Sequence, residues 1–434
     1  MVRIIYILGA MLSFWACDTT EPPPPPPTPP NLTLQALDAS STEVWLQVTL
    51  RAGIQPRTII VQRDSITVLN ATLTGSDTLI VDEQLEPNRQ YTYSLTRLTG
   101  HISELATSTI TTLDTTSHNW MFDPPVMLGD GSSSVLYDVA IISENPPLAY
   151  AVGEIYKQDS LGNWDPLPYN LAKWNGQSWE LKRVSVTYRG NVITPPLNAI
   201  FAFSATDIWF SSGVPIHGDG QNWTQYHLFD MGVLTQSDGS INKIWGGSSS
   251  DLWFVGNRGT IVRYDGTSWR RLESGTSTHI LDAWGIRKPV TRKIEVYCAV
   301  SSFFEPGAER KILRISNGAE IDSIRWSPGR LINAIWTNTG FALFTAGDGV
   351  FNNRIGEWIE VPTGIYTNDI RGTGLNNIIA VGDFGFITHY GGSTWQQIGF
   401  DSEAGYASVA VTPSLFITVG NKSGRALITI GRLN

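Results

Sequence analysis

Ile241-Asn-Lys-Ile-Trp245-Gly246, Asp251-Leu-Trp-Phe-Val-Gly256, Gly259-Thr-Ile-Val-Arg-Tyr264 and Asp265-Gly266-Thr-Ser-Trp269 follow one another in a single stretch of the chain. Each piece is a short alternation of apolar and polar side chains, and Gly or Asp separates it from the next. That pattern reads as four antiparallel strands joined by tight turns. The unit returns at Asn368-Asp-Ile-Arg-Gly372, Asn377-Ile-Ile-Ala-Val-Gly382, Gly385-Phe-Ile-Thr-His-Tyr390 and Gly391-Gly392-Ser-Thr-Trp395.

Outward from these two copies, the turn before the fourth strand gives a register. Gly-x-x-Trp occurs at Gly176 and Trp179, Gly220 and Trp223, Gly266 and Trp269, and Gly392 and Trp395. Gly318 and Ile321 keep the spacing with Ile, and Gly356 and Trp358 are one residue closer. The early marker tryptophans stand 44 and 46 residues apart. A four-strand repeat of that period predicts a β-propeller. The final unit has three strands, 407–411, 415–419 and 425–430, whereas Ser117-His118-Asn119-Trp120 copies the missing turn and its tryptophan. Six units within 136–400 plus one composite unit predict a seven-bladed β-propeller over 117–434. Pairing of its N- and C-terminal strands would close it and leave no sheet edge open.

Composition agrees with an all-β chain. Of 434 residues only 16% are charged, while 41 are Gly and 16 are Trp, as many short strands and turns require. The net charge of −9, without a run of Lys or Arg, argues against nucleic acid as a partner. The two cysteines, Cys17 and Cys298, cannot build a disulfide framework. Cys298 lies in Val296-Tyr297-Cys298-Ala299-Val300 and reads as a small buried hydrophobe.

Residues 1–16 read as a signal peptide: Arg3, then an apolar stretch from Ile4 to Ala16 too short to span a bilayer. Phe14-Trp15-Ala16-Cys17 resembles the lipobox of bacterial lipoproteins, which implies that Cys17 is lipidated and begins the mature protein. Residues 17–30 hold Pro22 to Pro27, Pro29 and Pro30, which favour polyproline II, a stiff tether of roughly 30 Å. The expectation is an exported protein, lipid-anchored in the bacterial cell envelope, at the outer membrane or cell surface rather than the inner membrane.

Residues 31–114 alternate over 43–50, 57–63, 76–82 and 90–98. Leu85-Glu86-Pro87-Asn88-Arg89-Gln90-Tyr91 resembles the corner before the sixth strand of fibronectin type III domains, an immunoglobulin-like sandwich. The resemblance implies that Tyr91 bonds back to nearby backbone, and it includes a tryptophan on an early strand, Trp45. Asp265-Gly-Thr-Ser-Trp269 likewise resembles the Asp-box of neuraminidase repeats, although it is one residue short and lacks the preceding serine.

Catalytic signals do not rise above background. The six histidines, His101, His118, His217, His227, His279 and His389, show no metal-ligand spacing, and no cofactor is expected. No nucleophile elbow or phosphate loop occurs. A sialidase-like site would need arginines such as Arg189, Arg287 and Arg310 to converge. Acid–base work would draw on carboxylates such as Asp159, Asp230 and Asp238. The insertions are more telling. Long departures from the repeat fall at 156–169, 186–196, 229–240 and 301–310, in connections expected on one face. They carry Tyr156, Trp164, Tyr169 and Tyr188, together with Arg189, Phe303, Phe304 and Glu305, a candidate binding rim. The sequence favours a non-catalytic binding or scaffolding lipoprotein that engages an envelope protein or glycan through this rim. The alternative is a carbohydrate-active hydrolase or lyase using the same face.

Overall fold

The computed structural model describes residues 31–51, 58–73, 76–99, 102–131, 133–288, 291–305, 307–354 and 356–434. The signal sequence, Cys17 and proline-rich segment expected over 1–30 lie outside the described residues, as does His101.

Residues 31–111 form two sheets. Leu32–Ala39, Val44–Leu50 and Asp77–Asp82 make one, with Val44–Leu50 in the middle. Ile66–Thr72, Thr58–Arg63, Gln90–Thr99 and Ile102–Thr111 make the other, hydrogen-bonded in that order. Val44, Leu46, Val48, Ile59, Val61 and Leu95 pack between them. The Tyr91 hydroxyl accepts a hydrogen bond from the Glu86 backbone N–H at 2.9 Å, the local link that its corner position implies. Trp45, on the central strand, does not join that core. Side chains alternate along Val44–Leu50, so Val44, Leu46 and Val48 face the sandwich core and Trp45 points away from it. It is nevertheless 4% exposed, because it is buried against Trp336, Ala342 and Phe344 more than 290 residues away.

In the remainder, six four-stranded antiparallel sheets, each a simple meander in chain order, are followed by a five-stranded one, and a hairpin of Val186–Tyr188 with Asn191–Ile193 lies between the first two. The first spans Val135–Glu144 to Trp179–Lys182, the second Ala199–Ser204 to Trp223–Gln225, and the third Ile241–Ser248 to Trp269–Leu272. The fourth runs from Ile280–Arg287 to Glu320–Ile324, the fifth from Ile332–Trp336 to Glu357–Val361, and the sixth from Thr367–Gly374 to Trp395–Gly399. The seventh joins Ala404–Val411, Leu415–Lys422 and Arg425–Leu433 to Trp120–Phe122 and Val126–Leu128, both paired with Arg425–Leu433, with Leu433 opposite Trp120. The first strand of each sheet lies beside the first strand of the next, and that of the seventh beside that of the first, so the sheets form a ring.

The turn chemistry explains the repeat signal. Asp265 Oδ1 accepts the backbone N–H groups of Thr267 and Ser268 at 2.9 and 2.7 Å, and Gly266 between them has φ +94°. A side chain would be strained at that φ. Asp219 and Asn175 close the same turn in the second and first sheets. The Ser268 hydroxyl and the backbone N–H groups hold the Asp265 carboxyl well below the usual range. Across strands two and three, an aromatic repeatedly faces a cation or a histidine: Tyr150 opposite Lys173, Trp209 opposite His217, and Trp253 opposite Arg263. His217 is thereby held between the Trp209 ring and Asp207. Cys298 is fully buried, and burial pushes its thiol up, out of the reactive range. Among the described residues no helix is long and apolar enough to cross a membrane.

Candidate binding faces

In an antiparallel meander the turns joining strands one to two and three to four emerge at one end. The connections joining two to three, and one sheet to the next, emerge at the other. The ring therefore has two different faces and an axis lined by the first strands.

At the axis, three carboxylates stitch neighbouring sheets together. Asp138 Oδ2 accepts the Ile200 N–H at 3.0 Å, Asp282 Oδ2 the Ile335 N–H at 2.9 Å, and Asp369 Oδ2 the Val409 N–H at 3.0 Å. In each case an aspartate of one sheet caps the first strand of the next. Lys243 Nζ lies 2.8 Å from Asp138. Arg371 forks onto Asp282 at 2.8 and 3.0 Å and reaches Asp369 at 2.9 Å. Ser408 Oγ stands 2.6 Å from Asp138 and 2.8 Å from Asp369. Burial alone would pull Lys243 and Arg371 down, but the surrounding aspartates outweigh it and hold both cations above their ordinary range. Burial pushes Asp369 up, yet Arg371 and Lys243 prevail and hold it low. For Asp282 burial is the stronger influence and its carboxyl sits high. The belt separates a cavity of about 140 Å³, rimmed by Asn198, Asn242, Asn333 and Asn368, from one of about 180 Å³ lined by Ile141, Trp284 and Val411. Both are smaller than the ~300 Å³ at which small-molecule sites begin. Asp138 and Asp369 do approach one another, but cations, a hydroxyl and backbone N–H groups occupy their oxygens.

The face of turns one-to-two and three-to-four carries the sandwich. Trp45 stacks on Phe341, with ring centroids 5.9 Å apart and 16° between planes. Asn376 Nδ2 donates to the Asp114 carbonyl at 2.8 Å, and the Thr116 N–H donates to the Gly391 carbonyl at 2.9 Å. Just beyond, His118 Nδ1 and His389 Nδ1 meet at 2.8 Å. His389 Nε2 faces Asn377 Oδ1 at 3.2 Å and so carries its proton there, which makes His389 Nδ1 the acceptor. Burial, with His118 adding to it, holds the His389 imidazole down at about 3. The unfolded chain therefore binds this proton first. Stability is complete above the unfolded value near 6.5 and falls as the pH drops toward 3. Lowering the pH from about 7.5 to about 5 is expected to cost about 2 kcal/mol through this pair. Denaturant melts at the two pH values test it: His389→Gln should flatten the dependence, and an unchanged slope would rule the pair out as its source.

The opposite face holds the long connections. Tyr188 stacks on His227 at 4.4 Å and its hydroxyl donates to Asp230 at 3.0 Å, while Arg189 pairs with the other oxygen of Asp230 at 3.0 Å. The first and second inter-sheet connections are thus joined into one patch. Phe303 and Phe304 are 63% and 86% exposed, with Tyr366 against the edge of Phe303, and Glu305 is exposed beside them. Trp164 is 45% exposed. Tyr169 is half-buried under the Arg183 guanidinium at 3.9 Å, and the half-buried Tyr156 donates its hydroxyl to Glu154. The eight rim residues therefore do not meet in one pocket.

Nor do the three arginines converge. Arg189 serves Asp230, Arg287 donates to the Arg292 carbonyl, and Arg310 to the Gly329 carbonyl. Arg287 moreover ends a first strand, on the sandwich-bearing face. Hydrogen bonds from Asn163 and Leu161 hold Asp159 below its ordinary range. Asp230 and Asp238 resist the upward push of burial because Tyr188 and Arg189, and Thr235 and Arg271, bond to them. A general acid needs the opposite shift. Among the described residues no cluster of His, Cys, Asp or Glu could hold a metal ion.

No family model matches this chain, and no curated protein matches its sequence. Among solved structures it is similar to two of the β-propeller protein YCF48. YCF48 bound to D1 peptide aligns with a TM-score of 0.51 at 15% identity, over 73% of this chain and 98% of that one. YCF48 from Cyanidioschyzon merolae aligns at 0.51 and 14% identity, over 71% and 99%.

The chain has a β-propeller fold.

At such low identity the likeness extends to the fold alone. One feature of the propeller has a signal in the repeat and another does not. Asp138, Lys243, Asp282 and Asp369 each interrupt a first strand otherwise set for apolar alternation, at matching positions of different units. His227 and Asp230 sit in an inserted connection, but only the fold brings them to Tyr188.

Proposed function

We propose that this protein is a non-catalytic binding or scaffolding lipoprotein of the cell envelope that engages a partner protein through the long-connection face of its propeller. The observation that carries the reading is the exposure of large aromatics there, Phe304, Phe303 and Trp164, on the same face as the Tyr188–Arg189–Asp230 patch. Aromatics and arginine held in the open by rigid sheets are what protein interfaces use as anchors. One YCF48 neighbour was solved with a peptide bound, which supports protein partnering on this fold.

In this reading the seven sheets are the blades of one closed propeller and the N-terminal sandwich is a fibronectin type III-like module. Its strand order and the Tyr91 corner support that assignment. Cys17 is the lipid attachment and the prolines are the tether. The strand Leu32–Ala39 runs from the pole of the sandwich remote from the propeller to the pole at which Ser41 and Trp45 dock. The tether then joins the far pole, and the aromatic face points away from the membrane.

The test is retention of envelope proteins from extract by the detergent-solubilised full chain, with a glycan array in parallel. Tyr188→Ala with Phe304→Ala should lower capture of a specific protein at least about tenfold, as loss of interface anchors does, without moving the thermal midpoint. Capture unaffected by rim substitutions would remove the face from consideration. Glycan binding lost in Trp164→Ala, with no protein retained, would favour the hydrolase or lyase alternative.

A further inference from the structure

A groove of about 690 Å³ lies between the third and fourth sheets, on the same face as the docked sandwich and opposite the aromatic face. Asp251, Trp253 and Arg263 of the third sheet form one wall. Arg287, Lys293 and Ile294, with Asn317 and Glu320 behind them, form the other. Its charges are not equally committed. Arg263 Nε is 2.8 Å from Asp251, and its guanidinium lies over Trp253, so that pair is internally neutral. Glu320 accepts from Asn317 Nδ2 at 2.8 Å and faces Ser316 Oγ at 3.4 Å. Arg287 donates only to the Arg292 carbonyl, at 3.1 Å, and Lys293 only to Asn317 Oδ1, at 2.7 Å. Among the described residues, neither has a carboxylate within ion-pair distance, and both side chains are exposed. Of the other cations near this edge of the fourth sheet, Lys288 pairs with Glu295 and Arg314 with Asp322.

We propose that this groove is a binding site for an acidic peptide segment of a protein partner, with Arg287 and Lys293 receiving its carboxylates and Ile294 receiving a neighbouring apolar side chain. Three features select that ligand. A chain of net charge −9 repels acidic segments over most of its surface, so two uncommitted cations in one cleft are a local reversal of sign. A guanidinium offers parallel N–H donors that match a carboxylate. The volume falls in the range of built ligand sites and exceeds what a single small anion fills. Asp251 and Glu320 set the limits of the cleft, since a carboxylate placed at either would be repelled. The ligand's acidic groups must therefore sit toward the strand-turn end held by Arg287 and Lys293. This site does not depend on the aromatic face, and a protein using both would bridge partners on its two sides.

The experiment uses the solubilised full chain and a fluorescein-labelled peptide of alternating Glu and Leu, read by fluorescence anisotropy. Arg287→Ala with Lys293→Ala should weaken binding at least about tenfold, as loss of charge-assisted bonds does. Tyr188→Ala should leave it unchanged. Raising salt from about 50 to about 500 mM should weaken it too, because exposed charges are screened. A peptide of alternating Gln and Leu binding equally well would overturn the proposal, as would full affinity in the double variant. Inorganic phosphate that displaces the peptide stoichiometrically at equal affinity would reassign the groove to small anions and also overturn it. Loss of the envelope partner in Tyr188→Ala, with peptide binding retained, would separate the two sites.

Discussion

Replacing Trp45 by Ala is expected to split the calorimetric unfolding trace into two transitions and to enlarge the protein in solution scattering. The indole is 4% exposed, stacked on Phe341 and enclosed by Trp336 and Ala342. Removing a buried Trp costs about 3–5 kcal/mol. Here the loss falls on the contact between two independently cored units, since the sandwich packs around Leu46 and Val48 without Trp45. What remains of the junction is the half-buried Leu37, Val81 and Leu113 and hydrogen bonds such as Asn376 to Asp114 and Thr116 to Gly391, each bond worth about 1 kcal/mol. Trp45→Phe keeps an aromatic for Phe341 and should preserve one transition. A single, unshifted transition in Trp45→Ala would mean that the indole does not couple the units.

The second large effect is expected at the axis. Arg371→Met removes the cation that serves Asp282 and Asp369 and leaves two buried carboxylates facing Lys243 alone. Breaking a buried pair from one side costs about 3–5 kcal/mol. The pH response should also shift. Deprived of Arg371, the aspartates take up protons more readily folded than unfolded, so the belt gains stability as the pH falls from neutral toward 5, beyond what the high-sitting Asp282 already contributes. That gain opposes the loss through His389, which parent and variant share, so the variant's slope should be shallower than the parent's. Adding Asp282→Asn to Arg371→Met removes one orphaned charge and should restore part of the loss at pH 7. A change under about 1 kcal/mol in Arg371→Met, or an unchanged pH slope, would show that water reaches the belt and solvates the carboxylates.

Much of the propeller was legible because its repeat is local. Gly266 between Asp265 and Thr267 obeys backbone sterics that act over four residues, and the same turn at Asp219 and Asn175 sets the register. The strand at Trp120 could be assigned to the last unit because the turn before it copies the others, although its partners are residues 431–433, just past the strand expected over 425–430. What escaped were matters of long-range burial. Alternation along Val44–Leu50 says that Trp45 leaves the sandwich core, but not that Phe341 awaits it. Tyr156, Tyr169 and Phe304 look alike as aromatics in polar insertions. Yet Glu154 engages the first and Arg183 covers the second, while the third is left open. Likewise the charges at Asp138 and Lys243 are visible in the chain, but their bond spans 105 residues.

The closing contact between Trp120–Phe122 and Arg425–Leu433 also governs time. A polypeptide emerging from its N-terminal end completes the sandwich and presents Trp120 while its strand partner is still unmade. Sheets one to six can each form from neighbouring residues, but the ring stays an open arc until residue 433 is available, and loop closure over some 310 residues comes last. Trp45 waits as well, since Trp336 and Phe341 appear only after four sheets have been built. For that interval the nascent chain carries an unsatisfied indole and a bare strand edge, and the final nine-residue strand relieves the edge.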